Sequence, residues 1–132
     1  MSHREVELLA GRALRMLKSA QSALLAGHYD IAAFMADQAF QLHLKSTILD
    51  LTGEIPRVHS IRQLLHILGT AVTKLDEIDR FIRNNRSLLV RLEDSYITSR
   101  YIPREYEREE ADELVEFAKE AIEFVKDLRG KA

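Results

Sequence analysis

The chain has no cysteine and no tryptophan, only two prolines and five glycines in 132 residues, and no long apolar run. Each scarcity removes a class of protein. Without Cys there is no disulfide framework, thiolate nucleophile, zinc ribbon or thiol redox centre, which suits a reducing compartment. No stretch approaches the roughly 20 apolar residues that span a bilayer, and the start Met1-Ser2-His3-Arg4-Glu5 lacks the apolar core of a secretory signal. A cytoplasmic location and no membrane partner are therefore expected. Charge of one sign is not in excess either: 19 basic against 21 acidic residues leave a net charge of −2, too small to draw nucleic acid or anionic lipid globally. Glu-x-x-His, HExxH, GxGxxG and GxxxxGK(S/T) are all missing, which leaves di-iron pairs, zincin helices, dinucleotide fingerprints and phosphate loops unsupported. No cofactor is expected.

What the chain does contain is helical periodicity. Its length suits one core that buries roughly two-thirds of the unfolded surface, so a single domain over 1–132 is expected. Residues 4 to 26 place Val6, Leu9, Ala10, Ala13, Leu17, Ala20 and Leu24 on one face, and Gly27 supplies the stop. Residues 30 to 52 are apolar nearly all round and read as the central helix, with Ala32, Ala36 and Ala39 small enough for a neighbour to approach closely. Thr52-Gly53 ends it, and Pro56 opens a loop after which Ser60 and Gln63 form a capping-box pattern. A shorter helix follows from Ile61 to about Lys74. A longer one begins at Asp76 or Asp79 as its cap and runs to about Ser99, with Asn84-Asn85 as a kink. Pro103 marks a second loop before a last helix over about 108 to 129, and no stretch alternates long enough to be a strand. The expected fold is all-α: an antiparallel up-and-down bundle of four long helices plus one shorter helix.

Charge is uneven along this frame. Residues 105–132 hold ten acids and five bases, whereas 57–104 hold nine bases and five acids, among them Arg80, Arg83, Arg86, Arg91, Arg100 and Arg104. Arginine suits planar recognition of phosphate or carboxylate, although such a run is also an ordinary solvated face or a partner for the acidic last helix. Tyr96, Tyr101 and Tyr106 fall beside Arg100 and Arg104, a mixture of stacking faces and cationic forks suited to a nucleotide or a partner protein, although tyrosines so placed also simply seal the end of a bundle. Arg62 and His66 stand at i and i+4 on the third helix, where they can share a phosphate, although ordinary surface is the commoner reading of such a pair. His43, inside the apolar central helix, reads as a packed residue rather than a ligand, and a metal pair of His59 and His66 is disfavoured by their spacing.

Several of these segments together resemble the HEPN domain. They are a first helix ending Gly27-His28-Tyr29-Asp30, the run Ala32-Ala33-Phe34-Met35-Ala36-Asp37-Gln38-Ala39, the break Gly53-Glu54-Ile55-Pro56 with His59-Ser60, the string Ser99-Arg100-Tyr101-Ile102-Pro103, and the closing stripe Ala111 to Val125. The resemblance implies a helical bundle, commonly a homodimer, that in prokaryotes is often encoded beside a small stand-alone nucleotidyltransferase and is similar to the helical domain of kanamycin nucleotidyltransferase. It also implies a wall that binds nucleotide or substrate, here Tyr96, Arg100, Tyr101 and Arg104 with His59, Arg62 and His66, and a setting within a toxin-antitoxin pair. Many members are instead ribonucleases that use an Arg, four to six intervening residues and a His. This chain departs from that spacing: Arg62 and His66 have three residues between them, Arg57 and His66 have eight, and 67–132 contain no His. The expectation is thus a subunit without catalytic residues of its own. The alternatives are a ribonuclease toxin acting on RNA through an Arg/His site composed across a dimer, and a dimerisation scaffold without ligand.

Overall fold

A computed structural model describes residues 3–130, apart from the side chains of Ser99 and Arg100. Six α-helices and no strand occur among the described residues: α1 (His3–Leu25), α2 (Tyr29–Thr52), α3 (Ile61–Ala71), α4 (Leu75–Asn84), α5 (Arg86–Tyr101) and α6 (Arg108–Gly130). The first two helices end on glycine. Gly27, at φ 84°, donates its N–H to Leu24 O at 3.1 Å while His28 N–H reaches Ala23 O at 2.9 Å, the two bonds of a Schellman motif. Gly53 adopts the same φ and closes α2 onto Leu49 O at 2.8 Å.

The short connection after α1 folds it back along α2. The alanines at 32, 33, 36 and 39 have no exposed surface, so backbones approach closely there, and Phe40, Leu44 and Ile48 fill the spaces beyond them. α2 packs against α1, α3, α5 and α6 and forms the axis of the helical bundle. From the other side α6 presents Ala111, Leu114, Val115, Ala118, Ile122, Val125 and Leu128, the expected stripe, with Phe117 and Ala121 buried beside it. Part of the basic middle does pair with the acidic last helix: Arg91 bonds Glu113 and Arg104 bonds Glu110.

The middle of the bundle differs from the expected four long helices and one short. α3 stops at Ala71, before Lys74, and Thr73 takes a left-handed φ of 55° in the turn. Lys74, not Asp76 or Asp79, is the N-cap of α4; Asp76 lies inside the first turn, where an acid still complements the helix dipole. The expected kink at Asn84-Asn85 is a full break. Asn85 leaves the helical region at φ −125°, and its Nδ2 donates to Phe81 O at 2.9 Å, ending α4 locally. Ser60, by contrast, caps α3 as its sequence suggests, accepting from Gln63 N–H at 3.4 Å.

Candidate functional site

Small residues bring the helices of the site together. Ser95 on α5 has no exposed surface, and its Oγ lies 3.1 Å from Ala33 O on α2 and 2.6 Å from Leu92 O. This contact holds α5 against the first half of α2. The next residue, Tyr96, then sits 6.2 Å from the Phe34 ring, centroid to centroid. The loop that precedes α3 lays His59 on the same tyrosine, its ring 6.0 Å away and within 12° of parallel. Phe34, Tyr96 and His59 thus form an aromatic row whose outer member, His59, is exposed.

Lys45, two turns along α2 from Gln38, places Nζ 3.3 Å from His59 Nδ1. An ammonium only donates, so Nδ1 is the acceptor of this bond and the proton of the neutral ring sits on Nε2. The ledge therefore offers a flat ring, an N–H and a cation side by side. Partial burial lowers the Lys45 pKa from its ordinary value.

Glu93, one turn before Tyr96 on α5, receives the start of α3. Its Oε1 accepts from Ser60 Oγ at 3.1 Å and from Arg62 N–H at 2.8 Å, and its Oε2 accepts from Arg62 Nη2 at 2.9 Å. The carboxylate thus complements both the guanidinium and the positive end of a helix. Side-chain hydrogen bonding to Glu93 raises the Arg62 pKa. Beneath this cluster lies Asp37, with no exposed surface. Its Oδ2 accepts from Gln38 Nε2 at 3.0 Å and Gln41 Nε2 at 2.8 Å, while Oδ1 has no hydrogen-bond partner. Burial pushes its pKa up to about 7 against the two hydrogen bonds, with the Glu93 charge adding to the rise.

The residues singled out from sequence fall into three places. His59 and Tyr96, far apart in the chain, meet; Arg62 lies beside them but is engaged by Glu93. His66 faces away to α4, with Nδ1 3.8 Å from Asp79, so it and Arg62 do not close on a common anion. Arg104 forms a separate patch: it bonds Glu110, which lies below the ordinary carboxylate pKa chiefly because of that bond, and its guanidinium covers the Tyr106 ring at 4.1 Å. A hollow of about 140 Å³ opens there between Arg91, Thr98, Arg104 and Tyr106. Tyr101 is 66% exposed at the end of α5, and the Arg100 side chain lies outside the described residues. Phe34, Asp37, Lys45, Glu93 and Ser95 were not anticipated as parts of a site. Among them only Asp37 carried a signal, an acid on the buried side of the most apolar helix. His43 is packed and held neutral, its pKa lowered to about 4 by burial and then by Lys126 and Arg129. No group of three or more His, Asp or Glu converges to hold a metal ion among the described residues, and none of their helices is long and apolar enough to cross a membrane.

Comparison with known proteins places this geometry in a lineage. The HEPN domain family model matches residues 6–128. Among solved structures, the chain is similar to the crystal structure of TT1696 from Thermus thermophilus: the two are 29% identical and superpose with a TM-score of 0.75 over 93% of this chain and 97% of that one. No curated protein matches.

Proposed function

The chain belongs to the HEPN domain family, and from that membership we propose that it is a nucleotide-binding helical subunit, without catalytic residues of its own, that works with a separate small nucleotidyltransferase. The observation that carries the reading is the ledge of His59 parallel to Tyr96 with Lys45 Nζ at 3.3 Å from the imidazole. A base extends the aromatic row on the open face of His59, and Lys45 and the His59 Nε2–H face the phosphates. The Tyr101 and Arg104 end of α5 supplies the second wall, toward the acceptor or the partner enzyme. The metal-binding carboxylates and the transfer itself belong to the partner. The chain enters this complex as a homodimer in the cytoplasm, in a pair of the toxin-antitoxin type.

Arg62 supports a binding role over a ribonuclease one. A nuclease needs its arginine and histidine aimed at one phosphate, whereas Arg62 is bound to Glu93 and His66 stands with its Nδ1 3.8 Å from Asp79 on α4. The test is a titration with ATP carrying a fluorescent methylanthraniloyl group. Tyr96→Ala and Lys45→Ala are each expected to weaken binding about tenfold, the scale of one lost stacking or charged contact, and Tyr96→Phe to leave it nearly unchanged. A tagged pull-down from native extract should return a nucleotidyltransferase at fixed stoichiometry. Recovery of a homodimer alone that cleaves RNA would overturn the reading.

A further inference from the structure

His59 is the one member of the aromatic row that comes from a loop, so something must fix its plane. The end of this loop is tied to other helices by Lys45 Nζ at His59 Nδ1 and by Ser60 Oγ, which donates to Glu93 Oε1. Glu93 holds the next turn too, through the Arg62 backbone N–H and both Arg62 Nε and Nη2. Glu93 and Tyr96 are at i and i+3, neighbours on one face of α5. One face therefore grips Ser60 and Arg62 at one point and meets His59 at the other. An exposed ion pair contributes little, but this one is bidentate, the Glu93 side chain is only 14% exposed, and the carboxylate also terminates the N–H row of a helix.

We propose that Glu93 is the positioning residue of the ledge: by holding Ser60 and Arg62 it sets the His59 ring parallel to Tyr96 and within reach of Lys45. Its consequence for ligand rests on the nucleotide-binding reading, while the geometric claim does not. Without the carboxylate, Ser60 Oγ and Arg62 N–H lose their shared partner, and the tie through Lys45 is left to hold the end of the loop. The effect is transmitted through His59, since Glu93 itself is occupied by protein donors.

The experiment uses the full chain labelled with ¹³C-histidine, with the His59 ring signals assigned by their loss in His59→Gln. In the wild type, Tyr96 displaces these signals by its ring current, and Tyr96→Leu provides the unstacked reference. Glu93→Ala is expected to move His59 most of the way to that reference and to lower affinity for the methylanthraniloyl-ATP probe about tenfold, the scale on which supporting residues behind a contact act. Glu93→Gln, which keeps shape but removes the charge, should fall between the two, and it decides the matter if the alanine variant fails to fold by circular dichroism. His59 signals at their wild-type positions in a folded Glu93 variant would overturn the proposal; signals that move with affinity unchanged would bear out the geometric claim and overturn its consequence for the ligand. If the wild type does not bind the probe, the nucleotide reading fails by itself, and the His59 signals still decide what Glu93 does.

Discussion

Asp37 is the residue at which stability and pH meet. Its carboxyl titrates near 3.8 when unfolded and at about 7 when folded, because burial disfavours the charged form. Between these values the unfolded chain has released a proton that the folded chain keeps, so stability falls as pH rises from 4 to 7 and is level above 7. Asp37→Asn removes this group's decline, which amounts to something on the order of 4 kcal/mol at full effect. Urea titrations at pH 5 and pH 8 should therefore show the asparagine variant gaining on the wild type at the higher pH, and an identical loss in both proteins between the two pH values would refute the assignment. In the sequence Asp37 is a charge among Ala33, Ala36, Phe40 and Leu44, a local signal that the reading of 30 to 52 as apolar nearly all round passes over. Its neighbour Glu93 carries no such signal, since Arg62 and Glu93 stand 31 positions apart and no local pattern announces the pair. Ser60 was legible because capping is a local event, settled within one turn.

At the level of elements, the α3–α4 corner carries opposite expectations for two nearby substitutions. Gly69 is buried, and a Cβ there would lie 2.9 Å from Ile78 Cγ1 and 3.0 Å from Leu75 Cδ2. Alanine is the better helix former by about 1 kcal/mol, yet Gly69→Ala should still destabilise, by roughly 1–2 kcal/mol, because the contact forces α4 away from α3. Four residues on, Thr73 is a β-branched residue at φ 55°, a conformation that costs such side chains about 1–2 kcal/mol. Thr73→Gly relieves that strain and should raise stability by roughly 0.5–1 kcal/mol. Thermal midpoints shifting in opposite directions check both at once; a more stable Gly69→Ala would show that the corner has room. The same corner explains where helix boundaries escaped the sequence. The apolar spacing Ile78, Ile82, Leu89, Leu92 runs on across Asn85, and the break depends on the Asn85 side chain bonding Phe81 O, one of several conformations open to that residue. Glycine stops at 27 and 53 were legible because few other residues adopt φ 84°.

For the whole molecule, the apolar pattern of α2 gave away the architecture because an element hydrophobic on nearly every side has to lie at the centre. Which helices surround it could not be read off, since that depends on tertiary fit such as Ala33 against Ser95. This centrality has a quantitative consequence for cooperativity. Phe40 is wholly buried in the one core cluster to which all six helices contribute. Its truncation leaves a cavity in that shared core, and Phe40→Ala should cost about 3–5 kcal/mol, a large part of the roughly 5–15 kcal/mol typical of a domain. If the bundle is one cooperative unit, the loss must appear equally in every probe. Helicity at 222 nm reports all six helices, whereas tyrosine fluorescence, in a chain without tryptophan, reports Tyr29 at the start of α2, Tyr96 and Tyr101 on α5, and Tyr106 before α6. Urea transitions followed by the two signals should coincide in the wild type and move together in Phe40→Ala with the slope unchanged. If fluorescence lost its transition first while helicity persisted, α5 and the loop of the ledge would be a separate, weaker unit, and α2 would not be the axis on which the whole bundle depends.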